Sequence, residues 1–117
     1  MKRPGNAVAF FRRTDGTLTG FRAQGHTGYA RAGQDIVCAA VSALTQSTLN
    51  GLRNVLKAPV TYEIDDQDAL LQAELTPEAT KAQIDGAQLL LVSLLEGLQA
   101  IERSYPRNVR IFFEERR

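Results

Sequence analysis

The sequence predicts an α+β fold, a mostly antiparallel sheet in the order ββαββαβ with two helices packed on it. Three observations predict it. Short apolar or alternating runs occur in two pairs, each pair split by turn-forming residues. Two longer stretches repeat their apolar residues at helical spacing. The resulting order of elements implies an antiparallel or mixed sheet. The 117 residues, 44% hydrophobic and 23% charged, fit one globular domain over 1–117. A chain of this length can bury about two thirds of its unfolded surface.

Residues 7–12 form an apolar and aromatic run, and residues 18–23 alternate. Between them Thr14, Asp15, Gly16 and Thr17 signal a hairpin, because Asp-Gly suits a turn that needs positive φ. Residues 25–33 hold three glycines in nine positions and read as a mobile loop. A helix follows, with Asp35 as its N-cap ahead of Ile36 and Val37. At 100° per residue Val37, Val41, Leu44, Thr48, Leu52 and Val55 share one face, and Ala58-Pro59 ends the helix. Residues 60–65 and 69–75 make a second hairpin across Asp66, Gln67 and Asp68. Thr76 caps a second helix with Pro77 at its first position, and this helix runs to residue 104, before Pro106. Residues 109–114 are the last strand.

The second helix is unusually apolar. Ile84, Ala87, Leu90, Leu91, Leu94, Leu95, Leu98 and Ile101 span a face roughly 140° wide, with Leu89 and Val92 outside it. Either these two are scattered surface residues or they mark the contact of a homodimer, and the sequence leaves both open. The longest apolar stretch, 88–99, carries Ser93 and Glu96 and is too short to span a bilayer. No apolar signal region follows Lys2 and Arg3. A soluble, cytoplasmic protein without a membrane partner is the expectation.

Fourteen Lys and Arg against thirteen Asp and Glu give a net charge of +1, so no global electrostatic argument favours direct nucleic-acid binding. One cysteine excludes an intrachain disulfide, and with one histidine it argues against a zinc site. Gly28 and Gly33 have phosphate-loop spacing, but Gln34 and Asp35 stand where Lys and Ser/Thr are needed. Asp65, Asp66 and Asp68 lack the glycine and distal glutamate of a calcium loop, so a polar turn is expected. No metal and no cofactor is expected.

The chemistry lies in residues 25–42. His26 and Cys38, the only residues of their kinds, flank the glycine loop, and an Asp35 cap would put Cys38 in the first helical turn. Free N–H groups and the dipole at a helix start favour an anion there, and the thiolate is the nucleophilic form of cysteine. That effect is about 1 kcal/mol, less than a tenfold change in ionisation, so a second activator is required. His26 is the one candidate, as base or ion-pair partner. Cys38 also falls at the edge of the apolar face, in line with Ser42, Thr45 and Leu49, a position compatible with partial exposure. Tyr29 is the one large aromatic residue between the outer glycines, and so either contacts a bound peptide or anchors the loop to the core.

The segment resembles the signature of the ribosomal-processing cysteine protease family, also called YsxB-like. The matching residues are Gly25-His26, Gly28-Tyr29-Ala30, Gly33 and the run from Asp35 through Ile36, Val37, Cys38, Ala39, Ala40 and Val41 to Ser42. Thr27 departs from the pattern, standing where many relatives have a smaller residue. The resemblance implies a cytoplasmic, homodimeric cysteine endopeptidase. Its substrate would be the precursor of a large-subunit ribosomal protein of the L-twenty-seven type. It would remove the N-terminal extension, cutting after an aromatic pair. The family's catalytic cysteine and histidine carry over onto Cys38 and His26, and the glycines with Tyr29 onto a substrate loop. Asp35 matches a motif acid that either caps the helix or orients the imidazole. Backbone N–H groups near Cys38 are the expected oxyanion donors. The alternative from another class is a non-catalytic, ribosome-associated binding module using the same surface.

Overall fold

The computed structural model describes residues 5–25 and 32–117, with side chains from residue 36 onward in the second stretch. Strands β1 (Asn6–Arg13), β2 (Leu18–Gln24), β3 (Val60–Asp65), β4 (Leu70–Leu75) and β5 (Val109–Arg116) form one sheet in the order β3-β4-β2-β1-β5. All neighbours are antiparallel except β1 and β5, which run parallel with Asn6 beside Val109 and Phe10 beside Phe113. Helices α1 (Ala32–Asn50) and α2 (Lys81–Ser104) pack on one face. The predicted class and element order therefore hold.

The first hairpin turns where Asp-Gly predicts it. Gly16 has φ +93, and Arg13 N–H donates to Thr17 O at 2.8 Å while Asp15 accepts from Thr17 N–H at 2.9 Å. Period-two alternation sends Asn6, Val8 and Phe10 toward the helices and Ala9 and Phe11 to the opposite face. Both rows are buried. The helix-facing row meets Val37, Val41 and Leu49 of α1 and Leu91, Leu94 and Leu98 of α2. Each such buried Val, Leu or Phe contributes about 1.5–3 kcal/mol.

The strand ends shift from expectation by one or two residues, and three differences in the helices are larger. Helix α1 starts at Ala32, not after Asp35, so Gly33 and Asp35 both lie in its first turn. Asp35 is therefore not the cap, and the expected loop ends earlier than residue 33. Helix α2 starts at Lys81, not Pro77. Thr80 is its cap: the Thr80 hydroxyl accepts from Gln83 N–H at 3.1 Å and the Gln83 side chain accepts from Thr80 N–H at 2.9 Å. This reciprocal pair outcompetes Thr76, which instead closes a turn with Glu78 and Ala79. Finally, α1 continues as a π-helical turn, Gly51–Val55. The wider turn shifts the helical phase, so Val55, expected on the core face, is 81% exposed while Leu52 stays buried.

By length and composition α2 is apolar enough to cross a membrane, a criterion that the stretch 88–99 alone does not meet. In this fold its Ala87, Leu91, Leu94 and Leu98 are buried in the core, and Leu89 and Val92 remain on the surface.

Candidate active site

Cys38 sits in the second turn of α1, because the helix begins a full turn before the expected cap. Its backbone N–H is consequently inside the i→i−4 ladder and is not one of the free N–H groups of a helix start. Of the backbone N–H groups near Cys38 expected as oxyanion donors, this removes the N–H of Cys38 itself. The thiol itself is half-buried, as its edge position on the helical wheel predicts, with Ser42 exposed and Thr45 and Leu49 buried in the same row.

The sulfur opens into a cavity of about 310 Å³ between α1 and the β3–β4 hairpin. Val41, Ala23 and Leu71 give it apolar walls. Ser42, Gln46, Asp65 and Asp66 add polar groups, and Asn6, Gly25 and Ala69 complete the end near the sulfur. The size is at the lower limit for a ligand pocket, which suits one or two side chains of an extended chain. Asp65 holds the hairpin turn, accepting from the N–H groups of Gln67 at 3.0 Å and Asp68 at 3.3 Å. The polar-turn reading of this acidic cluster therefore stands, and it forms one rim of the cavity.

Gly25, placed by the sequence in the substrate loop, lines this cavity together with Cys38. Its N–H donates to Ala69 O at 2.9 Å, and a Cβ there would stand 3.1 Å from Asn6 Oδ1. Gly33 is in the first turn of α1. His26, Gly28 and Tyr29 lie outside the described residues, as does the Asp35 side chain.

Sequence reasoning missed Asn6. Its carboxamide Nδ2 donates to Cys38 Sγ at 3.4 Å across 32 positions of sequence. The available signal was the alternation of β1. Position 6 is in register with Val8 and Phe10, so a polar residue heads a core-facing row.

A protein-family model described as cysteine protease Prp matches residues 7–110. The chain belongs to the Prp family. Among the Prp relatives, the ribosomal processing cysteine protease Prp of Bacillus subtilis is 31% identical over 104 residues, covering 86% of this chain and 89% of its own. The protein of the same description from Staphylococcus aureus is 28% identical over 100 residues, covering 86% and 91%. The crystal structure of the essential ribosomal processing protease Prp from S. aureus with a substrate peptide superposes with a TM-score of 0.80 at 27% identity, over 93% of this chain and 99% of that one. SMU.848 from Streptococcus mutans gives 0.81 at 27%, over 97% of each chain. This Prp chain is a cysteine protease of the ribosomal-processing family.

Proposed function

We propose that Cys38 is the nucleophile of this protease, with His26 as its general base and acid. The observation that supports this most directly is that the chain has one cysteine and that its sulfur lines the cavity. In this reading His26 accepts the thiol proton and the thiolate adds to the scissile carbonyl. A sulfur–carbon bond forms and the carbonyl pair moves onto oxygen. Collapse breaks the carbon–nitrogen bond, and His26 returns the proton to the leaving amine. Water then adds to the thioester and frees the sulfur. Asp35, no longer a cap, retains the role of orienting the imidazole.

The substrate in this reading is the precursor of a large-subunit ribosomal protein of the L-twenty-seven type, trimmed after an aromatic pair in the cytoplasm. The cavity's apolar walls and modest volume suit a ring of such a pair. The test is incubation with that precursor and mass spectrometry of the products. Native protein should release one N-terminal fragment, and Cys38→Ser should release none while still binding the precursor. Cleavage by Cys38→Ser would overturn the assignment.

The same reading includes a homodimer joined through α2. Leu89 is 77% exposed and Val92 42%, adjacent on a helix whose opposite stripe fills the core. Replacing both with Glu should give monomers by sedimentation, with the circular dichroism spectrum retained. An unchanged dimer would move the contact elsewhere.

A further inference from the structure

We propose that the Asn6 carboxamide is a catalytic residue that donates to the oxyanion formed when Cys38 attacks. The inference rests on Cys38 being the nucleophile. Addition to the carbonyl places the negative oxygen two bonds from the sulfur. A donor in contact with the sulfur therefore needs only a small shift to reach it. Asn6 Nδ2 is such a donor, at 3.4 Å. The backbone N–H of Cys38 is not, because the helical ladder holds it.

The donor is also fixed in advance, as electrostatic stabilisation of a transition state requires. Asn6 is 7% exposed. Its backbone N–H donates to Asn108 O at 2.7 Å, tying the first residue of β1 to the turn before β5. Its Oδ1 lies against Gly25, close enough that a Cβ there would stand at 3.1 Å. Its strand has neighbours on both sides, β2 and β5, so the head of β1 cannot drift without disturbing the sheet. The side chain faces the same cavity as the sulfur, where a peptide carbonyl must enter.

An oxyanion donor and a group that acts on the sulfur differ in what they accelerate. Alkylation by iodoacetamide needs the thiolate but develops no charge on a carbonyl oxygen. Peptide cleavage needs both, and so does capture of a peptide aldehyde as its thiohemiacetal. Asn6→Ala should lower kcat/KM for peptide cleavage by about 100-fold and weaken the aldehyde inhibitor in parallel. The rate of Cys38 alkylation should change by no more than about twofold. Asn6→Leu, close in shape and without a donor, should behave the same way and serves where the alanine variant does not fold. Cleavage near the native rate in the folded leucine variant would overturn the proposal. So would cleavage and alkylation falling in equal proportion, which would assign Asn6 to the sulfur. Alkylation of the native enzyme is read separately. If the alkylated protein still cleaves, the nucleophile assignment falls and this inference with it. If alkylation abolishes cleavage and both Asn6 variants stay active, this inference falls alone.

Discussion

Gly25 shows how closely the residues around the sulfur are fitted. A methyl group added there would press on Asn6 Oδ1 at 3.1 Å and on Ala69 Cβ at 3.3 Å. Both contacts are tighter than side chains normally accept, so the neighbours must yield by a few tenths of an ångström. A displacement of about 1 Å can cost 100-fold in rate, so Gly25→Ala should lower kcat/KM by about tenfold. Thermal denaturation should show only a small change in stability, because the strain falls on two side chains at the rim of a cavity. Equal losses of activity and stability would point to a general packing role. Asn6 itself illustrates the limit of a sequence reading at this scale. Cys38 stood out because its neighbours formed a local motif with a chemical rationale. Asn6 comes from β1, and only the folded sheet brings it to α1, so no window of adjacent residues contains the pair.

At the scale of elements, the strands were legible because both hairpins carry strong local turn signals, and β3 falls on the expected residues. The helix starts were not. Thr76-Pro77 and Thr80–Gln83 are both good helix openings, and the capping box prevails because it satisfies two backbone N–H donors at once. Asp35 looked like a cap because an aspartate directly before an apolar run suits that position, yet the helix begins three residues before it. One lock between elements was invisible in sequence. The Gln88 carboxamide on α2 accepts from Leu18 N–H and donates to Leu18 O, each at 2.8 Å, replacing a strand neighbour beside the β1 bulge between Phe11 and Arg12. Gln88→Leu keeps the bulk and leaves those two backbone groups without this partner. It should destabilise the fold by about 1–3 kcal/mol, read as a lowered midpoint in urea with an unchanged slope. An unchanged midpoint would mean that water replaces the amide at no cost.

Across the whole molecule the two faces of the sheet are closed by different means. The helices cover one. On the other, Phe11 is fully buried with the Arg116 guanidinium 3.8 Å and the Arg22 guanidinium 5.7 Å from its ring centre. Glu114 pairs with Arg22, and Glu74 pairs with Arg116 at 2.9 Å. The hydrogen bond from Arg22 holds the Glu114 carboxyl below its usual range, and the nearby charges of Arg22 and Arg116 act in the same direction. A lowered value in the folded state means stabilisation that is complete above the ordinary glutamate value of about 4.3 and lost as pH falls through the folded one. The native melting temperature should therefore drop more steeply than that of Glu114→Gln as the pH is lowered from about 5 toward 3. Parallel curves would show that this belt contributes nothing to acid sensitivity. The parallel pairing of β1 with β5 also ranks the steps of folding. The first strand of the sheet and its last are hydrogen-bonded neighbours, with Asn6 tied to Asn108 across every element between them. Until β5 docks, β1 lacks one of its two partners, and the head of the strand lacks the tie from Asn108. Closing so long a loop is an entropic cost that places this pairing late in folding. The contact between the Asn6 carboxamide and the Cys38 sulfur therefore matures with the closed sheet, not with either hairpin alone.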